Sequence, residues 1–243
     1  METLLIITAA ALWGCGTGVL ISHPAYRFSV PLEEPWRSAC PTGHPLTGTG
    51  GGWLGRARCA AGDTYGPSTL TVAFTTAGVC ALLAAATGAR PELVVWLLLA
   101  PASVLLATVD YTAHRLPDVL TLPLAAVVLV LLGIATLLPD AGGSWTSALL
   151  GSLVLGASAF VLFLISNSFG FGDVKLALFL GAVLGWYGWA FILIGAFVGF
   201  LLFALYGIGL ILTGRVGRTA RIPLGPFLLS GTLAGVLLGS HAP

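Results

Sequence analysis

Eight stretches of this chain are apolar over lengths that suit a lipid bilayer better than water: residues 3–22, 68–88, 92–109, 119–138, 146–166, 174–188, 190–212 and 223–240. In hydrocarbon every backbone N–H and C=O must be satisfied within the spanning segment, and a helix of about 20 apolar residues does this while crossing the core. Composition agrees. Charged residues make up 8% of the chain and hydrophobic ones 57%, where a soluble domain carries about 25% charge. The expected fold class is therefore an all-α membrane protein, a polytopic bundle of about eight transmembrane helices. The sixth segment is the shortest. Frequent glycines, among them Gly181, Gly185 and Gly188, suit membrane helices because small residues let backbones approach closely.

With eight spans, alternate connections share a side, and the cations then sort unevenly. One side collects Arg27, Arg37, Arg56, Arg58, Arg115, Lys175, Arg215, Arg218 and Arg221, and the other holds Arg90 alone. The positive-inside rule makes the richer side cytoplasmic and puts both termini outside. The first apolar run is expected to stay as a helix rather than be removed as a signal peptide. No basic residues precede it, Glu2 stands there instead, and no small-residue cleavage site follows. A formal net charge of +1 gives no reason to expect a nucleic-acid partner. Cys15 and Cys80 lie within apolar runs, so the four cysteines do not read as a secreted disulfide framework.

The organisation expected is a first transmembrane helix (1–22), one large cytoplasmic loop (23–67) and a seven-helix membrane core (68–243). The loop is rich in glycine, as in "PTGHPLTGTGGGWLGRARCAAG". At about 45 residues it is near the size below which a segment needs disulfides, metal or a partner to fold.

Two carboxylates stand out. Asp110 closes the third span, in "LLATVDYTAHRLPDVLTLP", and Asp173 opens the sixth, in "FGFGDVK". By the topology above both lie at the cytoplasmic face. An acidic group at the edge of an apolar span is a functional candidate by default. Two at one depth can share a proton, one polarising a carbonyl while the other takes a proton from water. Gly170 and Gly172 would permit a sharp turn and close approach of a substrate backbone at the start of this helix. There the helix dipole, with Lys175 if it lies nearby, favours the ionised form of Asp173. Read from the residues alone, Asp173 could equally be a helix cap and Asp110 an interfacial turn residue. Asp118 in "LPDVL" reads as a cap after Pro117 with at most a supporting role, and His114 and Arg115 as solvated interface residues.

Three blocks together resemble one family. "DYTAHRLPDVLTLP" is similar to the D-x6-P-D-x-L-T-x-P stretch of the type IV prepilin peptidases. "GFGDVKLALFLGAVLGW" resembles their G-x-G-D-x-K-L block, and "RIPLGPFL" their final-span R-I-P-F-G-P-F-L, with Leu224 in place of Phe. The resemblance implies that Asp110 and Asp173 are the catalytic pair, with Gly170, Gly172, Lys175 and Asp118 in supporting positions. It implies a bacterial inner-membrane enzyme whose active site faces the cytoplasm. Its partners would be prepilin or pseudopilin substrates, the lipid bilayer, and the pilus or type II secretion machinery.

The loop departs from the pattern. Family members typically carry two cysteine pairs there, able to hold Zn²⁺. Here Cys40 and Cys59 remain, while Gly43 and Gly62 stand where the second member of each pair would be. A mixed site of Cys40, His44, Cys59 and Asp63 is one reading. An eroded loop without metal is the one expected, so no cofactor is anticipated. Family members also methylate the new N-terminus with S-adenosylmethionine, and a loop short of its cysteines makes that activity doubtful here. Other readings compete less well. A presenilin-type protease carries its first Asp in a Tyr-Asp pair deep in a span, whereas this chain has Asp110-Tyr111 at an edge. A transporter or proton relay predicts polar groups at mid-membrane depth in several spans, which are not seen. An inactive homologue acting in pilus assembly is a third reading, although both aspartates remain.

Overall fold

The computed structural model describes residues 1–31, 34–59, 61–166, 169–214 and 222–242. The basic cluster Arg215, Arg218 and Arg221 lies outside the described residues, so its place in the orientation argument rests on sequence alone. Eight apolar helices are found among the described residues: α1 (Glu2–Phe28), α2 (Thr69–Thr87), α3 (Glu92–Ala113), α4 (Asp118–Ala135), α5 (Trp145–Ile165), α6 (Phe171–Gly185), α7 (Trp189–Leu212) and α8 (Gly225–Gly239). Six of them are long and apolar enough to cross a membrane. At 15 residues each, α6 and α8 reach only about 22 Å. The protein is an all-helical, multi-pass membrane protein, as its apolar runs predict.

Some helices run past their expected ends. α1 continues through Pro24 to Phe28 instead of stopping at residue 22. His23, Pro24, Ala25, Tyr26 and Phe28 are all buried there, and packing outweighs the proline's local cost. α3 continues to Ala113, so Asp110 lies inside its last turn rather than at its end.

The chain forms two compact units, Met1–Ala89 with Leu93–Pro117, and Arg90–Glu92 with Asp118–Pro243. In the first, α1 packs on α2 through small residues. A Cβ placed on Gly14 would lie 2.6 Å from the Thr76 carbonyl oxygen, and one on Gly18 2.6 Å from Ala73 Cα. The Trp13 indole donates to the Leu97 carbonyl at 2.8 Å, tying α1 to α3.

In the second unit α6 packs against all of its neighbours, α4, α5, α7 and α8. Every residue from Phe179 to Gly185 is buried. Contact with α5 is again between backbones, since a Cβ on Gly151 would come within 2.6 Å of the Gly181 carbonyl oxygen. A helix surrounded in this way needs no polar stripe, and so it reads as continuously apolar. At the far end of α4 from Asp118, the Glu92 side chain is fully buried and accepts the Gly142 N–H at 3.2 and 3.3 Å. Arg90 donates nearby to the Ser240 carbonyl at 3.0 Å.

Candidate active site

Asp110 sits in the last turn of α3 and is only 6% exposed. α3 ends just beyond it. His114 takes a left-handed φ of 50°, and its N–H closes the final turn on the Asp110 carbonyl at 2.9 Å. A left-handed residue after the last turn is a common helix stop, though glycine usually fills the position. The same end of α3 is tied to the end of α1. Ser29 and Thr112 share a hydroxyl hydrogen bond of 2.7 Å, and Arg115 donates to the Pro31 carbonyl at 3.0 Å. Arg115, expected as a solvated interface cation, is thus part of the clamp that holds this turn.

Asp173 belongs to the second unit and is the third residue of α6. Its Oδ2 accepts the Gly170 N–H at 3.1 Å, while its own N–H donates to the Gly170 carbonyl at 3.0 Å. This reciprocal pair satisfies groups that a helix start would otherwise leave open and fixes the carboxylate at the positive end of the dipole. Neither nearby glycine uses the left-handed region. Gly170 is extended at φ −82°, and Gly172 lies within the helix. What Gly170 supplies is space, since a Cβ there would lie 3.3 Å from the Asp173 carboxylate.

The supporting residues pair with each other. Lys175 donates to Asp118 Oδ1 at 2.6 Å and lies 4.7 Å from the centre of the Phe171 ring. The lysine side chain is 13% exposed and the aspartate 65%. Asp118, read from sequence as a cap, is the first residue of α4 and holds that helix start against the first turn of α6. One turn further along α6 is an apolar cavity of about 160 Å³ bordered by Leu155, Ala159, Phe169, Ala177 and Gly195.

The loop after α1 is more ordered than its glycine content suggests. Cys40 and Cys59 each open the same five-residue turn. Cys40 N–H donates to the His44 carbonyl at 2.9 Å and Gly43 N–H to the Cys40 carbonyl at 2.9 Å. In the second turn, Cys59 donates to Asp63 at 2.7 Å and Gly62 to Cys59 at 2.9 Å. Gly43 and Gly62, with φ of 85° and 96°, supply the left-handed residue that each turn requires. The turns bring the two sulfurs together, and with them His44. Ligating atoms of Cys40, His44 and Cys59 all lie within 4.8 Å of one another.

Two thiols and an imidazole that converge in this way are a donor set that suits zinc chemically. Asp63 is not among them. The Cys40 thiol is drawn down to about 6, chiefly by its hydrogen bond with the Thr42 hydroxyl. Sequence reasoning considered His44 and missed Thr42, which nothing in the motif distinguishes from a turn filler.

Six helices long and apolar enough to cross a bilayer, with Asp110 in the last turn of one helix and Asp173 in the first turn of another, mark a multi-pass membrane protein with two candidate acid–base residues. The type IV leader peptidase family model matches residues 93–214, a range that contains both Asp110 and Asp173. A protein of Aeromonas hydrophila named prepilin leader peptidase/N-methyltransferase is 35% identical over 231 residues, covering 88% of this chain and 74% of its own. A protein of the same name from Aeromonas salmonicida is 34% identical over 226 residues, covering 86% and 72%. One from Pseudomonas putida is 26% identical over 283 residues, covering 99% and 93%. The chain belongs to the type IV leader peptidase family. No solved structure matches it.

Proposed function

We propose that this chain removes the basic leader peptide of type IV prepilins or pseudopilins at the cytoplasmic face of a bacterial inner membrane, using Asp110 and Asp173 with water. Asp173, held at a helix N-terminus by Gly170, is the ionised member and accepts a proton from the attacking water. Asp110, shielded from solvent in the last turn of α3, carries the shared proton and donates it toward the scissile carbonyl oxygen. Collapse of the tetrahedral intermediate passes a proton to the leaving amine and regenerates the pair.

The observation that carries this reading is the burial of Asp110 in the last turn of α3, at the opposite end of that helix from Glu92, in a chain whose family match spans both aspartates. Within the second unit the Asp118–Lys175 pair sets the start of α4 on the first turn of α6, the turn that carries Asp173. Relatives are named for a second activity, N-methylation. We infer cleavage without it, on the reduced cysteine set of the loop, so S-adenosylmethionine is needed only if that activity survives. Co-expression with a candidate prepilin tests both parts. Leader removal is expected on a gel, and intact mass is expected to show a free, unmethylated N-terminus. Continued cleavage by both the Asp110→Asn and Asp173→Asn variants would remove the pair from the mechanism.

A further inference from the structure

Pro24 leaves one carbonyl of α1 without its helical donor. In an unbroken helix the N–H of residue 24 would bond to the Leu20 carbonyl, and proline has no N–H. The gap is filled from outside the helix, because Gly55 N–H donates to the Leu20 carbonyl at 3.0 Å. Beside hydrocarbon an open carbonyl is costly, so this bond fixes where the loop after α1 touches the helix.

The depth of that contact matters. Leu20 belongs to the apolar run 3–22 and is 42% exposed on the helix surface. Arg27 lies about 10 Å further along α1, where it donates to the Gly51 and Gly52 carbonyls at 3.2 and 2.9 Å and covers the Trp53 ring at 3.9 Å. Residues 51 and 52 are thus held near the end of α1, and residue 55 at the edge of its apolar run. The rings of Phe28, Trp36 and Trp53 pack on one another at 5.2, 5.2 and 5.5 Å. Trp36 is nevertheless 38% exposed and Leu54 42%, and Arg56 and Arg58 are exposed beside them in the chain. Exposed indole and leucine next to cations are what a headgroup boundary selects.

We propose that residues 51–58, together with Trp36, form an interfacial element seated in the headgroup layer of the membrane, with Trp36, Trp53 and Leu54 at the acyl boundary and Arg56 and Arg58 facing anionic lipid headgroups. Lipid is the partner that fits, because the segment is bonded to α1 at the depth of Leu20 and continues the exposed apolar surface of that helix. The Leu20 carbonyl freed by Pro24 is its anchor. The same end of α1 is tied to the last turn of α3 by the Ser29–Thr112 hydrogen bond, so the element lies on the membrane side that carries Asp110.

The test uses the full chain in nanodiscs of phosphatidylcholine, alone or mixed with phosphatidylglycerol. A photoreactive Leu54→p-benzoylphenylalanine variant is expected to give phospholipid adducts by intact mass after irradiation. Crosslinks between two copies of the chain in their place, or no crosslink to either, would overturn the proposal. Pro24→Ala gives the Leu20 carbonyl a helical donor that competes with Gly55, so hydrogen exchange at residues 51–56 is expected to rise about 2- to 10-fold while α2 stays protected. Unchanged exchange, or a rise that extends equally through α2, would remove the Leu20 bond as the anchor. In the mixed bilayer the same segment should exchange at least about fivefold more slowly than in phosphatidylcholine alone, and the combined Arg56→Gln and Arg58→Gln substitutions should abolish that difference. Equal exchange of the unsubstituted chain in both bilayers would overturn the contact with anionic lipid.

Discussion

Asp110 and Asp173 are held by different means. The first is shielded inside the last turn of α3, and the second is fixed by Gly170 in the first turn of α6. Replacing either by Asn keeps the shape and, under the proposed mechanism, removes the proton exchange. Each substitution is expected to lower leader removal in a purified assay by at least about 100-fold. Asp118 differs from both. Its carboxylate is 65% exposed, so Asp118→Asn should cost no more than about 1 kcal/mol in thermal unfolding and leave cleavage measurable. Loss of activity as complete as in Asp110→Asn would place Asp118 in the chemistry. Asp110 and Asp173 stood out in the sequence as candidates because a carboxylate at the edge of an apolar run is costly, although a capping or turn role explained each equally well until the family motifs were added. The partner of Lys175 was not legible, since Asp118 and Asp173 are equally plausible anions until the packing of α4 on α6 selects one.

Between elements, glycines mark where backbones touch. Gly181→Leu is expected to force α5 and α6 apart at the Gly151 carbonyl and to destabilise the protein by about 1–3 kcal/mol or more, read as a lowered unfolding temperature in detergent. Gly78 in α2 is the contrast. A Cβ there meets nothing within 4 Å, so Gly78→Ala should be neutral or raise stability by up to about 1 kcal/mol. Sequence shows glycine at both positions and does not separate them. The buried Glu92 was likewise invisible as a structural residue. Its worth comes from the Gly142 N–H, a partner 50 positions away. Glu92→Ala leaves that donor without its carboxylate, at an expected cost of about 1–3 kcal/mol, checked by the same melting measurement.

For the whole molecule, the testable quantity is orientation. If the cation-rich connections are cytoplasmic, an alkaline phosphatase reporter fused after residue 141 should be active outside the membrane, and one fused after residue 116 inactive. The reverse pattern would put the aspartates on the wrong face for a leader that is cut inside the cell. The all-helical membrane class and the two candidate aspartates were legible in the sequence, because apolar runs of helical length satisfy their own backbone in hydrocarbon and make carboxylates conspicuous; that six of the eight helices are long enough to cross was decided by the structure. Tertiary structure alone decided which glycines are contacts, which anion holds Lys175, and that Cys40, Thr42, His44 and Cys59 converge. Each of these depends on distances between residues far apart in the chain, and no periodicity along a sequence encodes such distances.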